Sequence, residues 1–324
     1  MGKTDYMSQI KPVISVLMPA YNAAEYIREA IDSILNQTFT NFEFVIINDS
    51  STDATEEIIL SYSDERIKYY ANEFNMGIVK TLNRGIDLCQ GKYIARMDAD
   101  DVSLPDRLEK QVHCLEANPQ IVACGVLYAI YGDQKQTPVD VATDMLDVRY
   151  DMAIFCQFAH SMVMMRKDVL NINQLQYREE YKYAEDYKLW TELLQFGEMI
   201  NIPDVLGYIR QCEEGISISN AERQRNLSDR VRKEYLNQLG VKTQLLLSDV
   251  LNEESISSEV VRETLRAYYP LVLQAKSHNW LYKNYKTALK KYLRHLPLKK
   301  KIKEISSEWK DILNCKDKLA ILLK

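Results

Sequence analysis

The sequence predicts an α/β fold, in which a mostly parallel, mixed sheet with helices on both faces is followed by a helical C-terminal region. Short apolar runs alternate with helix-like stretches through the first hundred residues, and polar residues follow three of those runs. After residue 217 the pattern is helical only. Alternation of strands and helices implies parallel strands whose crossover helices cover both faces of the sheet.

Four strands are predicted in the first hundred residues because four short runs are apolar or β-branched. They lie at 13–18, 42–47, 67–70 and 93–97. In parallel sheets, ligands bind beyond the carboxyl ends of the strands. Three strands end in polar segments, namely Pro19-Ala20-Tyr21, Asn48-Asp49 and Asp98-Ala99-Asp100. The sequence therefore predicts that these three segments form one binding site.

Helices are predicted between the strands from capping residues and periodicity. Asn22 with Glu25 three residues later has the pattern of an N-cap and N3 pair. Asp53 is expected to cap a second helix that runs to about residue 62, which would leave Asp49 free. A third helix, at 78–89, is expected to stop at Gly91. Pro105 is expected near the first turn of a fourth helix.

The second half of the chain is predicted to change from a mixed to a helical pattern. A short strand is expected at 162–165, and a helix is expected to begin at Glu185-Asp186. The predicted C-terminal helices lie at 221–239, 260–273 and 280–296. We therefore predict an α/β domain at 1–217 and a helical region at 218–324 with a basic amphipathic tail.

Charge is distributed unevenly along the chain. Residues 281–324 carry 13 Lys and Arg against 4 Asp and Glu, whereas the remaining residues carry 28 against 42. An acidic body argues against nucleic acid as its partner, and the basic tail suggests an anionic surface. The sequence contains no 18-residue apolar run, no secretory signal pattern and no Cys-x-x-Cys pair. These features predict a cytoplasmic protein without a zinc site or a disulfide framework.

Asp98-Ala99-Asp100 is a candidate metal site. Two carboxylates at the exit of a strand can bind one divalent cation, and hard oxygen ligands suit Mg²⁺ or Mn²⁺. Such a cation would neutralise charge on a leaving diphosphate. The alternative interpretation is a solvated acidic turn.

Four motifs in order carry a resemblance to a known family. They are Pro-Ala-Tyr-Asn at 19–22, Asn-Asp-Ser-Ser-Thr-Asp-Ala-Thr at 48–55, Asn-x-Gly at 75–77 and Asp-Ala-Asp-Asp at 98–101. Over roughly residues 12–217 the chain resembles family-2 glycosyltransferases. The resemblance implies a GT-A fold and an inverting, metal-dependent hexosyl- or N-acetylhexosaminyl-transferase. It implies that residues 1–217 are the catalytic domain, whose N-terminal half binds the nucleotide sugar. It also implies a UDP-sugar donor and a glycan or lipid-linked acceptor, such as capsule, lipopolysaccharide or teichoic-acid-type chains.

The same resemblance implies roles for individual residues of the donor site. Pro19, Ala20 and Tyr21 would line the base and ribose, and Asp49 would accept a hydrogen bond from the base. Asp98 would lie near the ribose and the metal, and Asp100 would ligate the metal. Asn75 is a weaker candidate for the donor site.

Glu185 and Asp186 match the acidic pair of the family. Asp186 would be the general base that takes the proton of the acceptor hydroxyl, and Glu185 would orient or bind the acceptor. The alternative is that both carboxylates only favour the N-terminus of their helix. His160 would lie near the acceptor or a phosphate, and its alternative is an ordinary core or surface histidine.

One position departs from the family pattern. Relatives often end the catalytic domain with Tyr-Arg-x-His, and the matching residues here are Ile209-Arg210-Gln211-Cys212. A thiol is a poor ligand for a hard cation, so metal coordination from this loop is in doubt. Arg210 could still pair with phosphate.

The basic tail, with Ile302, Ile305, Trp309, Ile312 and Leu319 among its lysines, resembles an interfacial helix. It suggests peripheral contact with the inner face of the cytoplasmic membrane. The alternatives are a solvated helix face and a homo-oligomer contact through the C-terminal helices.

Three other functions are weighed against sugar transfer. A sugar-nucleotide nucleotidyltransferase should carry a Gly-rich basic loop after the first strand, where this chain has Pro19-Ala20-Tyr21-Asn22. A processive synthase should carry a Gln-x-x-Arg-Trp element and membrane spans, and neither is found in the sequence. A catalytically weak interaction protein on the same scaffold is disfavoured by the retained aspartates, although Cys212 favours it slightly.

Overall fold

The computed structural model describes residues 11–131, 137–211, 220–252, 255–275, 279–307, 309 and 312–313. Among these residues the chain divides into two compact units. The first contains the residues up to 143 and those from 158 to 224. The second contains 144–157 and the residues from 225 onwards.

The first unit is built on a single mixed sheet. Its strands are β1 (Ile14–Ala20), β2 (Phe42–Asn48), β3 (Ile67–Ala71), β4 (Tyr93–Arg96), β5 (Val102–Ser103), β6 (Ile121–Ile130), β7 (Met164–Arg166) and β8 (Glu198–Ile209). Their order is β3-β2-β1-β4-β7-β6-β8-β5. The first four strands of that order are parallel, and β7 runs antiparallel to β4 and β6. The predicted α/β class with a mostly parallel sheet is confirmed.

Helices connect these strands. They are α1 (Ile27–Leu35), α2 (Thr55–Leu60), α3 (Ile78–Leu88), α4 (Arg107–Ala117), α5 (Met145–Asp151), α6 (Lys167–Ile172) and α7 (Glu185–Leu193). Short 3₁₀ helices occupy His160–Met162 and Glu179–Tyr181. Every residue of β1 and β2 is buried, as expected for strands covered on both faces.

The carboxyl ends of the parallel strands lie side by side, as predicted. Ala20 at the end of β1 pairs with Asn48 at the end of β2, and Asn48 pairs with Ala71 at the end of β3. On the other side of β1, Leu17 pairs with Arg96 at the end of β4. The three polar segments named above therefore leave the sheet at the same edge.

One local prediction is wrong, and two are shifted along the chain. Asn22 does not cap α1, because its backbone is left-handed (φ 49°) and its side chain accepts a hydrogen bond from the Thr52 amide; the helix begins only at Ile27. Pro105 lies before Asp106, the N-cap of α4, and so outside the helix. The segment predicted as a strand at 162–165 begins as a 3₁₀ turn, and β7 starts at Met164.

Gly91 is required by packing. The helix α3 ends at Leu88, as predicted to within a residue, and Cys89 is already extended. A Cβ atom on Gly91 would lie 2.5 Å from the Ser15 amide nitrogen and 2.6 Å from the Ile14 carbonyl carbon. Glycine therefore lets the chain entering β4 pass directly against the backbone of β1.

The second unit is helical, as predicted for the C-terminal region. Besides α5 it contains α8 (Ala221–Gln238, whose first turn belongs to the first unit), α9 (Leu247–Asn252), α10 (Ser258–Gln274), α11 (Trp280–Arg294) and α12 (Leu298–Ser307). Asp151 of α5 accepts hydrogen bonds from the Trp280 and Leu281 amides at the start of α11. No helix among the described residues is long and apolar enough to cross a bilayer.

The apolar tail residues whose side chains the structure describes are buried within the helical unit. Trp309 is 1% exposed and packs edge-on against Tyr292, and Ile305 and Ile312 are also buried. The Tyr282 hydroxyl donates to the Ile312 carbonyl oxygen. These side chains pack in the unit's own core and do not form an exposed apolar stripe. Leu319 and the side chain of Ile302 lie outside the described part.

Candidate active site

Asp49 anchors the loop that follows β3. Its carboxylate accepts hydrogen bonds from the Asn72 side-chain amide (2.6 Å), the Met76 amide (2.8 Å) and the Gly77 amide (2.9 Å). Only 4% of Asp49 is exposed. The expectation that Asp49 is free is therefore wrong, because most of its acceptor capacity is used within the protein.

The Asn-x-Gly motif has a clear structural role in the same loop. Gly77 adopts φ 82° and ψ 162° at the N-cap of α3, a conformation that essentially only glycine tolerates. The Asn75 side chain accepts from the Gly77 amide at 3.1 Å. Asn75 therefore shapes the loop next to Asp49, in the neighbourhood where the resemblance placed it.

The loops that follow β1 and β2 are joined by hydrogen bonds. The Asp49 amide donates to the Ala20 carbonyl oxygen at 2.8 Å, and Asp53 accepts from the Ala24 amide at 3.0 Å. Asp53 also accepts from the Thr55 amide at the start of α2, but the N-cap residue is Ala54, so the prediction that Asp53 is the cap is wrong by one residue. Pro19 and Ala20 are buried, whereas Tyr21 is 49% exposed. A planar ligand above this edge could therefore contact the Tyr21 ring.

Asp98 lies directly after β4 beside a buried cation. Arg96, which is 1% exposed, donates to the Asp98 carboxylate at 2.6 Å, while the Asp98 side chain remains 35% exposed. The Arg96 side chain also donates to the Met97 carbonyl oxygen. Asp98 is thus held by a fixed charge and keeps an open face.

Asp100 and Asp101 form a carboxylate-rich turn with Asp98. Burial and the charge of Asp98 raise the pKa of Asp100 to about 6. Burial and the charges of Asp98 and Asp100 raise the pKa of Asp101 to about 7. Asp101 is 3% exposed and accepts from the Ser161 hydroxyl and, at 3.0 Å, from the Arg210 amide. Asp100 is the less constrained of the two.

The donor set at Asp98 and Asp100 fits a divalent cation. Asp98 keeps an exposed face, and burial together with the charge of Asp98 raises the pKa of Asp100, so a cation bound between these two hard oxygen groups would offset the cost of ionising Asp100. Within the described residues no three or more His, Cys, Asp or Glu side chains converge to hold a metal. Phosphate oxygens or water would therefore complete its coordination, as is usual for Mg²⁺.

A buried polar layer beneath this turn is not evident from the sequence. Arg107 is fully buried and donates to the Arg96 carbonyl oxygen at 2.6 Å and to the Ser103 hydroxyl at 2.8 Å. Gln111 donates to the Cys124 and Met162 carbonyl oxygens. In the sequence, only Arg96 indicates this layer, because it is a charged residue inside an apolar run. Arg107 and Gln111 have the pattern of ordinary helical residues.

Glu185 and Asp186 begin α7, as predicted. Glu185 is 7% exposed and accepts from the Tyr183 amide at 2.6 Å, while Asp186 accepts from the Tyr187 amide at 2.7 Å. Burial and the charge of Glu185 raise the pKa of Asp186 to about 7. A carboxylate with such a pKa can accept a proton near neutral pH.

The acidic pair lies within electrostatic reach of the Asp98 turn. Burial raises the pKa of Glu185, Arg96 opposes that rise and Asp98 adds to it. Arg96 likewise lowers the pKa values of Asp100 and Asp186 against the larger effect of their burial. The structure therefore brings the predicted metal ligands and the predicted base around one buried arginine.

His160 belongs to an aromatic cluster. Its Nε2 lies 2.9 Å from the Tyr177 hydroxyl, and its ring lies 6.0 Å from that of Trp190. Burial holds the pKa of His160 well below its usual range. The imidazole is thus neutral at physiological pH, which disfavours a charge-based contact with phosphate.

Arg210 lies at the end of β8 and contacts the Asp98–Asp101 turn. Its Nε donates to the Asp100 carbonyl oxygen at 3.0 Å, and its Nη2 pairs with Glu29 at 2.7 Å. The guanidinium also stacks on Tyr26 and Tyr131. Cys212, which stands at the position of the expected histidine, lies outside the described residues.

Solved structures with a similar fold include two that hold nucleotide sugars. TarS 1–349 of S. aureus in complex with UDP-GlcNAc gives a TM-score of 0.56 at 19% identity, covering 88% of this chain and 82% of the TarS 1–349 chain. The mannosyltransferase PcManGT from Pyrobaculum calidifontis, in complex with GDP-Man and Mn²⁺, gives 0.54 at 18% identity, covering 97% and 86%. These likenesses confirm the predicted GT-A fold.

Sequence comparison specifies the family. The chain belongs to glycosyl transferase family 2, whose model matches residues 15–210. An uncharacterized glycosyltransferase of Haemophilus influenzae is 36% identical over 265 residues, which are 75% of this chain and 80% of the relative. The expected family and enzyme class are confirmed.

Proposed function

We propose that this glycosyltransferase moves a sugar from a UDP-sugar to a hydroxyl of a glycan or lipid-linked acceptor, with inversion and with a divalent metal. One observation carries the proposal. The charge of the buried Arg96, which pairs with Asp98, acts on the carboxyl groups of Asp100, Glu185 and Asp186, so the proposed donor-binding and proton-accepting groups would share one site.

The donor would lie along the carboxyl edge of β1, β2 and β4. Tyr21 would contact the base, and Asp49 with Asn75 would shape the pocket wall beside it. The TarS complex with UDP-GlcNAc supports a uridine donor, although the PcManGT complex with GDP-Man indicates that the fold also serves other nucleotides. The nucleotide is therefore the first variable to test.

Asp98 and Asp100 would hold Mn²⁺ or Mg²⁺, which would neutralise charge on the leaving diphosphate. The PcManGT complex with Mn²⁺ supports this choice. Arg96 orients Asp98 within the site through their 2.6 Å ion pair.

Asp186 would act on the acceptor. Its carboxylate takes the proton of the acceptor hydroxyl while that oxygen bonds to the anomeric carbon. The bond between that carbon and the diphosphate oxygen breaks, and its electron pair leaves with the nucleoside diphosphate. A single displacement of this kind inverts the anomeric centre. Glu185, one of whose carboxylate oxygens accepts from the Tyr183 amide, would orient the acceptor as it approaches the Asp186 carboxylate.

The experiment compares Asp186→Asn with the matched control Asp168→Asn. Asp168 also accepts from the next amide in a helix's first turn, but it is exposed. We expect Asp186→Asn to lose UDP release from UDP-GlcNAc in the presence of acceptor glycans, while still binding the donor in calorimetry. Near-normal turnover in that variant would refute the role of Asp186.

Tyr183 is a candidate acceptor surface. It lies three residues before Asp186, and its ring has the Lys182 ammonium at 5.6 Å and the Arg223 guanidinium at 5.2 Å. Aromatic rings offer sugars an apolar face, and the two cations would favour an acidic glycan. Tyr183→Ala should raise the KM for acceptor and leave that for donor unchanged; equal changes in both would contradict this placement.

We propose residues 1–217 as the catalytic region and 218–324 as an accessory region that meets the inner membrane face or another copy of the chain. Because Trp309 and Ile312 are buried, membrane contact would depend on exposed lysines such as Lys299, Lys300 and Lys303. Changing these three to Gln should reduce co-sedimentation with anionic vesicles. Unchanged sedimentation would exclude contact through them.

A further inference from the structure

Arg210 is enclosed by two aromatic rings. Its Cζ lies 3.8 Å from the centroid of the Tyr131 ring and 4.5 Å from that of Tyr26. The side chain is only 16% exposed. Stacking of this kind fixes the plane of a guanidinium and therefore the direction of its N–H groups.

The N–H groups of Arg210 are directed at protein acceptors. Nη2 donates to Glu29 of α1 at 2.7 Å, and Nε donates to the Asp100 carbonyl oxygen at 3.0 Å. The backbone amide of Arg210 donates to the Asp101 carboxylate at 3.0 Å. One residue thus joins α1, the end of β8 and the carboxylate turn.

Glu29 closes this arrangement. Its second oxygen accepts from the Tyr131 hydroxyl at 2.7 Å, and the Tyr131 amide donates to the Ile209 carbonyl oxygen at 2.8 Å. A ring of contacts therefore runs from Arg210 to Glu29, Tyr131 and back to the residue before Arg210. Such a closed arrangement holds the guanidinium in one position.

We propose that Arg210 is a positioning residue, which sets the main chain of Asp100 so that its carboxylate meets the metal, and that it does not bind the phosphates of the donor. The inference rests on the proposed metal-binding role of Asp98 and Asp100. Groups that orient metal ligands from behind typically change metal affinity by about 10-fold or more when they are removed.

Lysine cannot replace Arg210 in this role. An ammonium can pair with Glu29, but it lacks the planar fork that also reaches the Asp100 carbonyl oxygen while stacked between two rings. Arg210→Lys keeps the positive charge and removes the planar group that bonds to Glu29 and the Asp100 carbonyl oxygen together. Glu29→Gln does the reverse, because it keeps the shape and removes the charge that orients the guanidinium.

The test is calorimetric titration of the full chain with UDP, with and without Mn²⁺. We expect Arg210→Lys to reduce the Mn²⁺-dependent gain in UDP affinity about 10-fold, with a smaller reduction in Glu29→Gln. Affinity for UDP without metal should stay at the wild-type value in both variants. Asp204→Asn, which breaks the exposed 2.9 Å pair with Lys110 away from this turn, is the matched control and should change neither value.

Two results would overturn the inference. An equal loss of UDP affinity with and without Mn²⁺ would mean that Arg210 contacts the diphosphate itself. If Mn²⁺ increases the UDP affinity of both variants as much as that of the wild type, the contacts of Arg210 do not position Asp100. If Arg210→Lys does not fold, Glu29→Gln decides, since Glu29 is half exposed (47%). Failure of the wild-type chain to bind UDP at all would refute the proposed function first, and this inference with it.

Discussion

Replacing the proposed base with a neutral residue should stabilise the protein at alkaline pH. Burial and the neighbouring Glu185 raise the pKa of Asp186 from 3.8 to about 7. A carboxyl group whose pKa is raised on folding stabilises the fold below its unfolded pKa, and that contribution is lost as the pH rises through the folded pKa. Asp186→Asn removes the cost of holding a buried charge.

The size of the effect follows from the two pKa values. A rise from 3.8 to about 7 corresponds to at most about 4 kcal/mol of unfolding free energy at pH 8 and to less than about 1 kcal/mol at pH 4. Relaxation and water around the charge reduce such costs, so we expect a gain of about 2 kcal/mol at pH 8.

The assay follows one fluorophore in the same helix. The chain has three tryptophans, and Trp190 lies in α7, fully buried, one turn after Asp186. In a background with Trp280→Phe and Trp309→Phe, urea unfolding monitored by Trp190 reports on the first unit. The free energy of unfolding is compared at pH 4, 6 and 8.

The control is Asp168→Asn, in which an exposed carboxylate with the same local hydrogen bond is neutralised. It should change the free energy of unfolding little at any of the three pH values. A pH-independent effect of Asp186→Asn, or destabilisation at pH 8, would refute the reasoning that links burial to the raised pKa.

Three further predictions follow from the geometry of the site. Glu185→Gln should lower the pKa of Asp186 and move the acid limb of the kcat/KM profile to lower pH. An acid limb at the wild-type pH would mean that the charge of Glu185 does not affect the pKa of Asp186. Gly77→Ala should weaken UDP binding and cost about 1–3 kcal/mol of stability, measured by calorimetry and urea unfolding, because Cβ is strained at φ 82°. Gly91→Ala should cost about 2 kcal/mol in the same unfolding assay, because its Cβ would meet the β1 backbone; wild-type stability would contradict the close approach of Gly91 to Ser15.

The sheet was predictable because its signals are local. The apolar runs of β1 to β4 and the polar residues after them can be recognised without knowing what packs where, and the adjacency of their ends follows from parallel pairing. Asp98 and Asp100 were predicted as a site from their place after a strand, and Asp186 was predicted from its match to the family's acidic pair. The order of the motifs then supported the family.

Contacts between distant segments were not predictable. Asn22 resembles a helix cap, but its side chain bonds to Thr52 across the neighbouring loop. For Arg210, the residue type suggests a phosphate ligand, and the sequence does not reveal the two aromatic rings and Glu29 that contact it. In the tail, lysine-rich periodicity resembles an interfacial helix, yet Trp309 packs on Tyr292. In each case the residue type is compatible with two environments, and only the contact with a distant segment shows which one occurs.

The central claim is that Asp98 and Asp100 bind a nucleotide sugar together with a divalent metal. A thermal-shift panel of UDP- and GDP-sugars, each with and without Mn²⁺, tests it most directly on the wild-type chain and on Asp100→Asn. We predict that a UDP-sugar with Mn²⁺ raises the melting temperature of the wild type, and that Asp100→Asn loses the Mn²⁺-dependent part. Stabilisation by no nucleotide, with or without metal, would contradict the claim.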